Sequence, residues 1–462
     1  MRASAAPGPA ASMGLALALV APAALPAAQG QFAEALDQLY GALVPGLPER
    51  PFGPDLRAFQ GANYLGPPEV MGAMGLGWAR ESFPCGWDAV EPTAGEWHWE
   101  AFDRRILDAY RQGVQVLPML GYCAPWAASI PGDGFSPPRS TIEWENYVEH
   151  MVARYTRPPF NVRYFQVWNE PTWEPLTFWH ASGERWVDEV FIPAARIIRR
   201  YGGQVVFGGW PVADAGHLTQ ALDYHDAYRY TDIVDVHYFG STVFQDLYDR
   251  YVAPGPCRGI WQTEIGYHTY PNCYPNLYLR VLHWALRHDW HEVDQYKLFW
   301  FASWGAGLDA ERCLTGPGPE GNYTPSEHGR RATVMARVLG DGRLGLWEGF
   351  RADPALPPAL EEETPTMLGF TVEPSRRVVA LILDPDTVRD HPTVVLEVPG
   401  TPGEHVSVRL VDVLGTETAV PWSPTGDGLR MEVAAGSLTP YVARGWGREW
   451  RAAIAYVVIE ER

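Results

Sequence analysis

Two glutamates, each closing an apolar run, are the residues of this chain best placed by type and spacing to do chemistry. In "VRYFQVWNEPTWEP" (162 to 175), Val162, Tyr164, Phe165, Val167 and Trp168 favour extended chain. The abrupt Asn169-Glu170-Pro171 then leaves a carboxylate at the tip of a strand that reads as buried. "GIWQTEIGY" repeats the arrangement, with Glu264 following Thr263. A charge in such a place must be solvated, paired or used. One glutamate alone is a loop cap or an ion-pair partner, whereas two that meet across a cleft have a sharper use. Carboxylates flanking a sugar ring hydrolyse glycosidic bonds: one protonates the leaving oxygen, the other attacks the anomeric carbon or activates water. In this reading Glu170 is the acid. Partial burial and the negative charge of Glu264 raise its proton affinity, and once Glu264 is esterified Glu170 becomes the base of the second step.

The two glutamates meet only if their strands end on the same side of one sheet. Between residues 58 and 340, strand-like runs alternate with amphipathic helical segments, the pattern of βα units around a parallel sheet. Eight strands are predicted: "AFQGANY" (58 to 64), "GWARES" (77 to 82), "VQVLPML" (114 to 120), "VRYFQVW" (162 to 168), "QVVFGGW" (204 to 210), "DIVDVHYF" (232 to 239), "GIWQTEI" (259 to 265) and "KLFWFAS" (297 to 303). After the third, Ser140 and Glu143 form a capping box. Trp144, Tyr147, Val148, Met151, Val152 and Tyr155 then follow helical spacing. In "VDEVFIPAARIIRRYG", Pro193 marks a helix start or a kink. Eight units in this span fit a (β/α)8 TIM barrel, an α/β fold of about 250 residues, with an open doubly wound sheet as the alternative. In the barrel, Glu170 ends strand four and Glu264 ends strand seven, on the face where the loops open.

Past residue 345 the pattern changes. "RRVVALILD", "TVVLEVPG", "HVSVRLVDVLG" and "GLRMEVAAG" are short β-branched runs between Gly, Pro and Asp turns, the mark of a small all-β sandwich-like domain. "RADPALPPALEEETP" reads as a connecting segment. The expected organisation is a signal peptide over 1–30, the barrel over 31–345 and the β domain over 346–462. The leader reading rests on the apolar stretch from Met13 to about Ala24 and on the small-x-small Ala28-Gln29-Gly30. It predicts a secreted or periplasmic protein, with a disordered Ala/Pro leader as the alternative because Arg2 is the only positive charge there, and the stretch is too short for a membrane span. A net charge of −19 and a pI near 5.1 argue against nucleic acid or an anionic membrane as partner. Twenty Trp and 22 Tyr supply flat apolar faces suited to stacking on a carbohydrate as well as to core packing. The five cysteines are scattered, and none sits in CxxC spacing.

Other constellations fail. "HDWHE" (288 to 292) is neither the His-Glu-x-x-His zinc motif nor its inverse and reads as a solvated face. There is no nucleophile elbow and no phosphate-cradling loop, and "GLGWAR" lacks the third glycine of a dinucleotide fingerprint. No metal and no organic cofactor is expected.

"WNEP" followed by Thr263-Glu264 resembles the retaining glycoside hydrolases of clan A, the 4/7 barrel superfamily. "GWARESFPCGWDAVEPTAGEWHWEAFD" resembles them too, through Arg80, Trp87, Glu91-Pro92, Gly95, Trp97, Trp99 and Asp103, and "LPMLGYCAPWA" is similar to the third-strand segment of family 39. The resemblance spans most of residues 75 to 340. It implies that Glu170 is the acid/base, Glu264 the nucleophile, Asn169 a donor to the sugar 2-hydroxyl, Arg80 a cation beside the nucleophile, and His237 part of a His-x-Tyr motif. Where that motif carries its tyrosine this chain has Phe239, so Tyr238 or Tyr267 is expected to touch the nucleophile instead. The resemblance also implies a tryptophan under the sugar at the end of strand eight, Trp300 before Trp304. Trp126 and Trp173 fall on loops of the same face. A cellulase-like family 5 enzyme, a galactosidase-like family 42 enzyme and a non-catalytic carbohydrate-binding barrel are the alternatives.

Overall fold

The alternation of side chains along β-strands builds the inside of this protein in layers. The computed structural model describes residues 55–266, 273–288, 296–301, 314–317, 323–340, 342–399, 406–438, 441–445 and 448–461. Eight parallel strands form the barrel: β1 (Gln60–Asn63), β2 (Trp78–Glu81), β3 (Gln115–Leu120), β4 (Tyr164–Val167), β5 (Gln204–Val206), β6 (Ile233–His237), β7 (Gly259–Ile265) and β8 (Tyr296–Phe301). They run β5-β4-β3-β2-β1-β8-β7-β6, and the Val206–Ile233 bridge closes the ring; the two-residue Trp210–Pro211 continues that closure further along β6, opposite Val236 and His237. This is the expected (β/α)8 architecture; seven predicted strands contain their observed ones, and β8 starts at Tyr296, one residue before its predicted run. The open-sheet alternative is excluded by closure.

The lower interior is apolar: Trp78, Leu117, Tyr164, Val206, Ile233 and Trp261 form one buried cluster, with the Lys297 ammonium 4.9 Å from the rings of both Trp78 and Trp261. Two residues further along their strands come Arg80, Gln166, Asp235 and Thr263, all 4% exposed or less. A polar layer therefore stands on an aromatic one, where barrels of this kind usually stack branched aliphatics. Outside, the helix Thr141–Tyr155 starts at Ser140, whose hydroxyl accepts from the Glu143 N–H at 3.4 Å, and it buries the six residues predicted. The Pro193 segment is a π-helical stretch, Trp186–Phe191, running without a break into an α-helix, Ile192–Arg200; the widened turns precede the proline, which has no N–H to give to the ladder.

The C-terminal part is a sandwich. A seven-stranded sheet containing Leu344–Leu346, Thr366–Val372, Arg376–Leu383, Val406–Asp412 and Arg448–Glu461 faces a four-stranded one containing Arg351–Asp353, Val394–Pro399 and Gly428–Val433. Met367, Val379, Leu381, Val457 and Ile459 of the first sheet meet Leu396, Val398, Leu429 and Met431 of the second in one apolar core. The other face of the larger sheet lies on the barrel: the Phe370 ring is 5.6 Å from that of His283, on the helix Cys273–Arg287. Within the strand Arg448–Glu461, Ala452 to Ile459 are buried on both faces and read as a continuous apolar run, which falls outside the alternating runs singled out in the sequence.

The segment read as a connector is structural. Arg351–Asp353 pairs with Val394–Pro399, and the residues after it are clamped by Arg280, itself 1% exposed. Its guanidinium donates to the carbonyls of Ala359 (2.9 Å), Glu362 (3.3 Å) and Thr364 (2.6 Å). A buried cation supplied with carbonyl acceptors is what an acidic, proline-rich stretch without its own ladder needs. Among the described residues, no helix is long and apolar enough to cross a membrane. Replacing Arg280 by Ala strips these carbonyls of their donor and is expected to cost about 3 kcal/mol or more, read from urea unfolding of the full chain.

Candidate active site

The site stands on the polar layer at the C-terminal ends of the strands, and two local departures from strand geometry build it. At β4 the chain leaves the sheet through positive φ at Trp168 (71°) and Glu170 (46°), held by the Trp168 N–H on the Leu120 carbonyl and the Glu170 N–H on that of Gly208. Such conformations cost of order 1–3 kcal/mol each in a non-glycine residue and cluster where geometry serves function. At β7, Val236 pairs with Gln262 but His237 pairs with Glu264, so Thr263 is an extra residue, a β-bulge. The bulge turns the neighbouring Thr263 and Glu264 toward the same interior, which a regular strand forbids.

Arg80 holds the centre. Its guanidinium donates to Gln166 (2.6 Å), Asn63 (3.3 Å), Asn169 (2.5 Å) and Glu264 (3.1 Å). The Tyr238 hydroxyl donates to the other Glu264 oxygen at 2.9 Å, brought there by a positive φ of 63°. Of the two tyrosines expected there, Tyr238 reaches Glu264, and Tyr267 lies outside the described residues. Phe239 is buried, its N–H on the Gln262 side chain at 2.6 Å.

Glu170 keeps different company. Its carboxyl is 3.0 Å from Nδ1 of His237, whose Nε2 is 3.0 Å from the Thr263 hydroxyl. Thr263 in turn binds Asp235 through both its N–H (3.0 Å) and its hydroxyl (2.7 Å), and Gln166 donates to Asp235 at 2.5 Å. Burial pushes Glu170 from 4.5 up to about 7 against the pull of Arg80, and pushes His237 down to about 3, so the imidazole is neutral at ordinary pH. The expectation that repulsion from Glu264 would raise Glu170 needs correcting: with Arg80 standing on Glu264, burial is the cause.

One carboxylate oxygen from each glutamate and a His237 nitrogen lie within 4.8 Å of one another, a spacing a divalent cation could span. The Arg80 guanidinium already occupies Glu264, however, and adds positive charge where a cation would sit. Glu170, Glu264, Arg80, Asn169, His237 and Tyr238 are thus brought together. Trp126 is half-buried, its indole N–H on the Glu91 carbonyl at 2.9 Å and its ring edge-on to Trp87. Trp173 is buried, edge-on to Tyr224. The backbone of Trp300 lies on β8 beside Ala62 and Ile265; its side chain, and the whole of Trp304, lie outside the described residues. Of "HDWHE", His288 binds the Trp284 carbonyl, and the rest lies outside them too.

Three site residues were not singled out from sequence. Tyr122 hydrogen-bonds Asn169, and Gln166 and Asp235 carry the polar layer. The last two were findable: each is a polar residue at an inward position of a predicted strand, Gln166 four residues before Glu170 and Asp235 two before His237. Gly209 guards the layer from β5. It has a φ of 61°, and a Cβ there would come 2.3 Å from the His237 ring.

Neither a family model nor a curated protein sequence matches the chain. Solved structures do. They include a family 39 glycoside hydrolase from the gut symbiont Bacteroides cellulosilyticus WH2 (TM-score 0.56, 13% identity, 87% of this chain and 81% of that one). A GH30 endoxylanase from Clostridium papyrosolvens C71 gives 0.53, at 12% identity over 88% and 97%. A glucosidase from Croceicoccus marinus gives 0.52, at 12% over 89% and 98%. Coverage of this extent takes in the β domain as well as the barrel, so the chain has the fold of these proteins across both.

Because the folded chain holds the Glu170 proton more tightly than the unfolded one, stability falls as pH rises from 4.5 through about 7. Glu170→Gln removes that loss. The variant is expected to exceed the wild type in stability above pH 7 by on the order of 2 kcal/mol, with the difference gone below pH 4.5, by urea unfolding at each pH.

Proposed function

We propose that the protein is a retaining glycoside hydrolase that cleaves a β-glycosidic bond in an oligo- or polysaccharide by double displacement. The observation that carries this is the meeting of two chemically unlike carboxyls at one barrel mouth: Glu264 against a guanidinium and a phenol, Glu170 against a neutral imidazole. Environments that push two acids apart assign their roles. Their closeness supports retention, for which carboxyls stand about 5 to 5.5 Å apart, over inversion, which needs about 6.5–9.5 Å to admit a water.

In the first step a Glu264 oxygen bonds to the anomeric carbon as the bond to the leaving oxygen breaks, and Glu170 gives that oxygen its proton. In the second, water attacks the same carbon, Glu170 takes the water's proton, and the ester to Glu264 breaks. Arg80 and Tyr238 aim the attacking carboxylate. Arg80 also binds the Asn169 amide oxygen, which fixes the NH2 group as the donor for the sugar 2-hydroxyl. A Glu170 pushed up to about 7 is still substantially protonated near neutrality, as a general acid must be. The fold shared with glycoside hydrolases is consistent with this chemistry; the site residues are what argue it.

A panel of aryl β-glycosides with a mechanism-based fluorosugar tests the reading. The fluorosugar should add covalent mass at Glu264, and NMR should find the first-formed sugar with retained configuration; an inverted product would overturn the mechanism. Glu264→Ala should abolish turnover. Glu170→Ala should cripple substrates with poor leaving groups and spare activated aryl ones, and wild-type rates in both variants would remove the assignment. Tyr238→Phe should lower kcat/KM about tenfold or more through loss of one charge-assisted hydrogen bond.

A further inference from the structure

Beneath the glutamates lies a buried carboxyl for which the double displacement has no use. Asp235 is fully buried on β6 and joined to Glu170 by an unbroken series of short contacts: Asp235 Oδ2 to Thr263 Oγ1 at 2.7 Å, Thr263 Oγ1 to His237 Nε2 at 3.0 Å, and His237 Nδ1 to Glu170 Oε1 at 3.0 Å. We infer that these four residues form a proton wire holding one proton between two carboxyl ends, so that Asp235 acts through Thr263 and His237 as a positioning residue that sets whether Glu170 presents an acid or a base. This rests on the reading of Glu170 as the acid/base.

The argument is one of donors and acceptors. The Gln166 side-chain oxygen accepts from Arg80, so its NH2 group must face Asp235 and Thr263 and can only donate to them. Thr263 has one hydroxyl proton, and the neutral His237 ring has one N–H. Two arrangements satisfy every contact. In the first, Thr263 donates to an ionised Asp235 and accepts from His237 Nε2–H, and the bare Nδ1 accepts from a protonated Glu170. In the second, a protonated Asp235 donates to Thr263, Thr263 donates to Nε2, and Nδ1–H donates to an ionised Glu170. They contain the same number of protons and interconvert by three transfers: Glu170 to Nδ1, Nε2 to Thr263, and Thr263 to Asp235. Each oxygen or nitrogen gives up one proton as it gains another, and the imidazole ends as the other neutral tautomer.

The two ends are close in proton affinity, since burial pushes Asp235 up to about 8 and Glu170 to about 7. The groups around the wire are Arg80 from β2, Gln166 from β4, Glu264 from β7 and Tyr238 after β6, with Tyr122 bonded to Asn169 after β3 and Lys297 one layer deeper on β8. Arg80 pulls both ends down and favours neither by sign. A purely structural Asp235 needs only to accept hydrogen bonds. A wire makes a further demand: the tautomer of His237 must follow the proton.

The test needs no substrate, so a failed wire and a failed glycosidase reading are told apart. Full-length protein with 13C-labelled Asp and Glu carboxyls and 15N-labelled His is titrated by NMR across the neutral range, with His237 assigned through His237→Gln. In the wild type the Glu170 and Asp235 signals should titrate as a coupled pair while the His237 nitrogens report a change of tautomer. Thr263→Val removes the acceptor for an Nε2 proton. It should lock Nδ1–H against Glu170 and lower the Glu170 midpoint by about one pH unit, tenfold in ionisation, whereas Thr263→Ser should keep wild-type behaviour. Asp235→Asn, whose amide can donate to Thr263 but accept no proton, should shift Glu170 in the same direction. A folded Thr263→Val with an unmoved Glu170 midpoint and tautomer overturns the wire, and a folded Asp235→Asn with both unmoved overturns the role of Asp235. Should Asp235→Asn not fold, the Asp235 signal decides: loss of its coupled titration in Thr263→Val supports the wire, and its persistence overturns it.

Discussion

One guanidinium makes the interior of this barrel tenable. Arg80 is 4% exposed, and around it, largely screened from solvent by the barrel, stand Glu264, Glu170 and Asp235 in a chain whose net charge is −19. Isolated carboxylates in such a medium would neutralise or unfold the site. Arg80 directs its donors at Gln166, Asn63, Asn169 and Glu264, so the strand ends of β1, β2, β4 and β7 are tied to a single planar fork. The geometry of the mouth follows from that fork: which amide group of Asn169 faces outward, which way Gln166 is flipped, and which glutamate has a cation.

From that asymmetry the two glutamates acquire different characters. Both end apolar strands of a parallel sheet and both are about one-sixth exposed. What separates them is local backbone. The bulge at Thr263 turns Glu264 onto Arg80 and leaves the threonine beneath it to meet His237 and Asp235. The left-handed turn from Trp168 to Glu170 lifts the other carboxyl off the sheet and onto the imidazole.

The sequence disclosed the architecture well because period and punctuation were strong. Each of the eight strand runs is a short apolar stretch between turn signals, and the Ser140 helix declares its start and its buried face. Glu170 and Glu264 were legible for the same reason, as charges where the pattern called for none. Tyr238 was harder. Strict alternation after His237 would point it outward, and only its left-handed φ brings its hydroxyl to Glu264. The bulge at Thr263 has no signature in "WQTEI", so the adjacency of Thr263 and Glu264 on one face could not be read from spacing. The role of Arg280 was hidden for another reason: the carbonyls it gathers belong to backbone, which composition does not reveal, and so a clamped segment looked like a tether.

The larger sheet of the C-terminal sandwich has no solvent side over the strands that meet the barrel helices, and this bears on how the protein can have diversified. Phe370 and the long strand Arg448–Glu461 are as much a part of the barrel's outer shell as of their own domain. A recombination event that exchanged the tail for another module would expose the wall around His283 and ask the newcomer to match it. An exchange of either half would thus have to rebuild the seam, which reaches the barrel mouth itself: Ser241, just past β6, bonds Leu360 and Glu362 of the segment that leads into the sandwich.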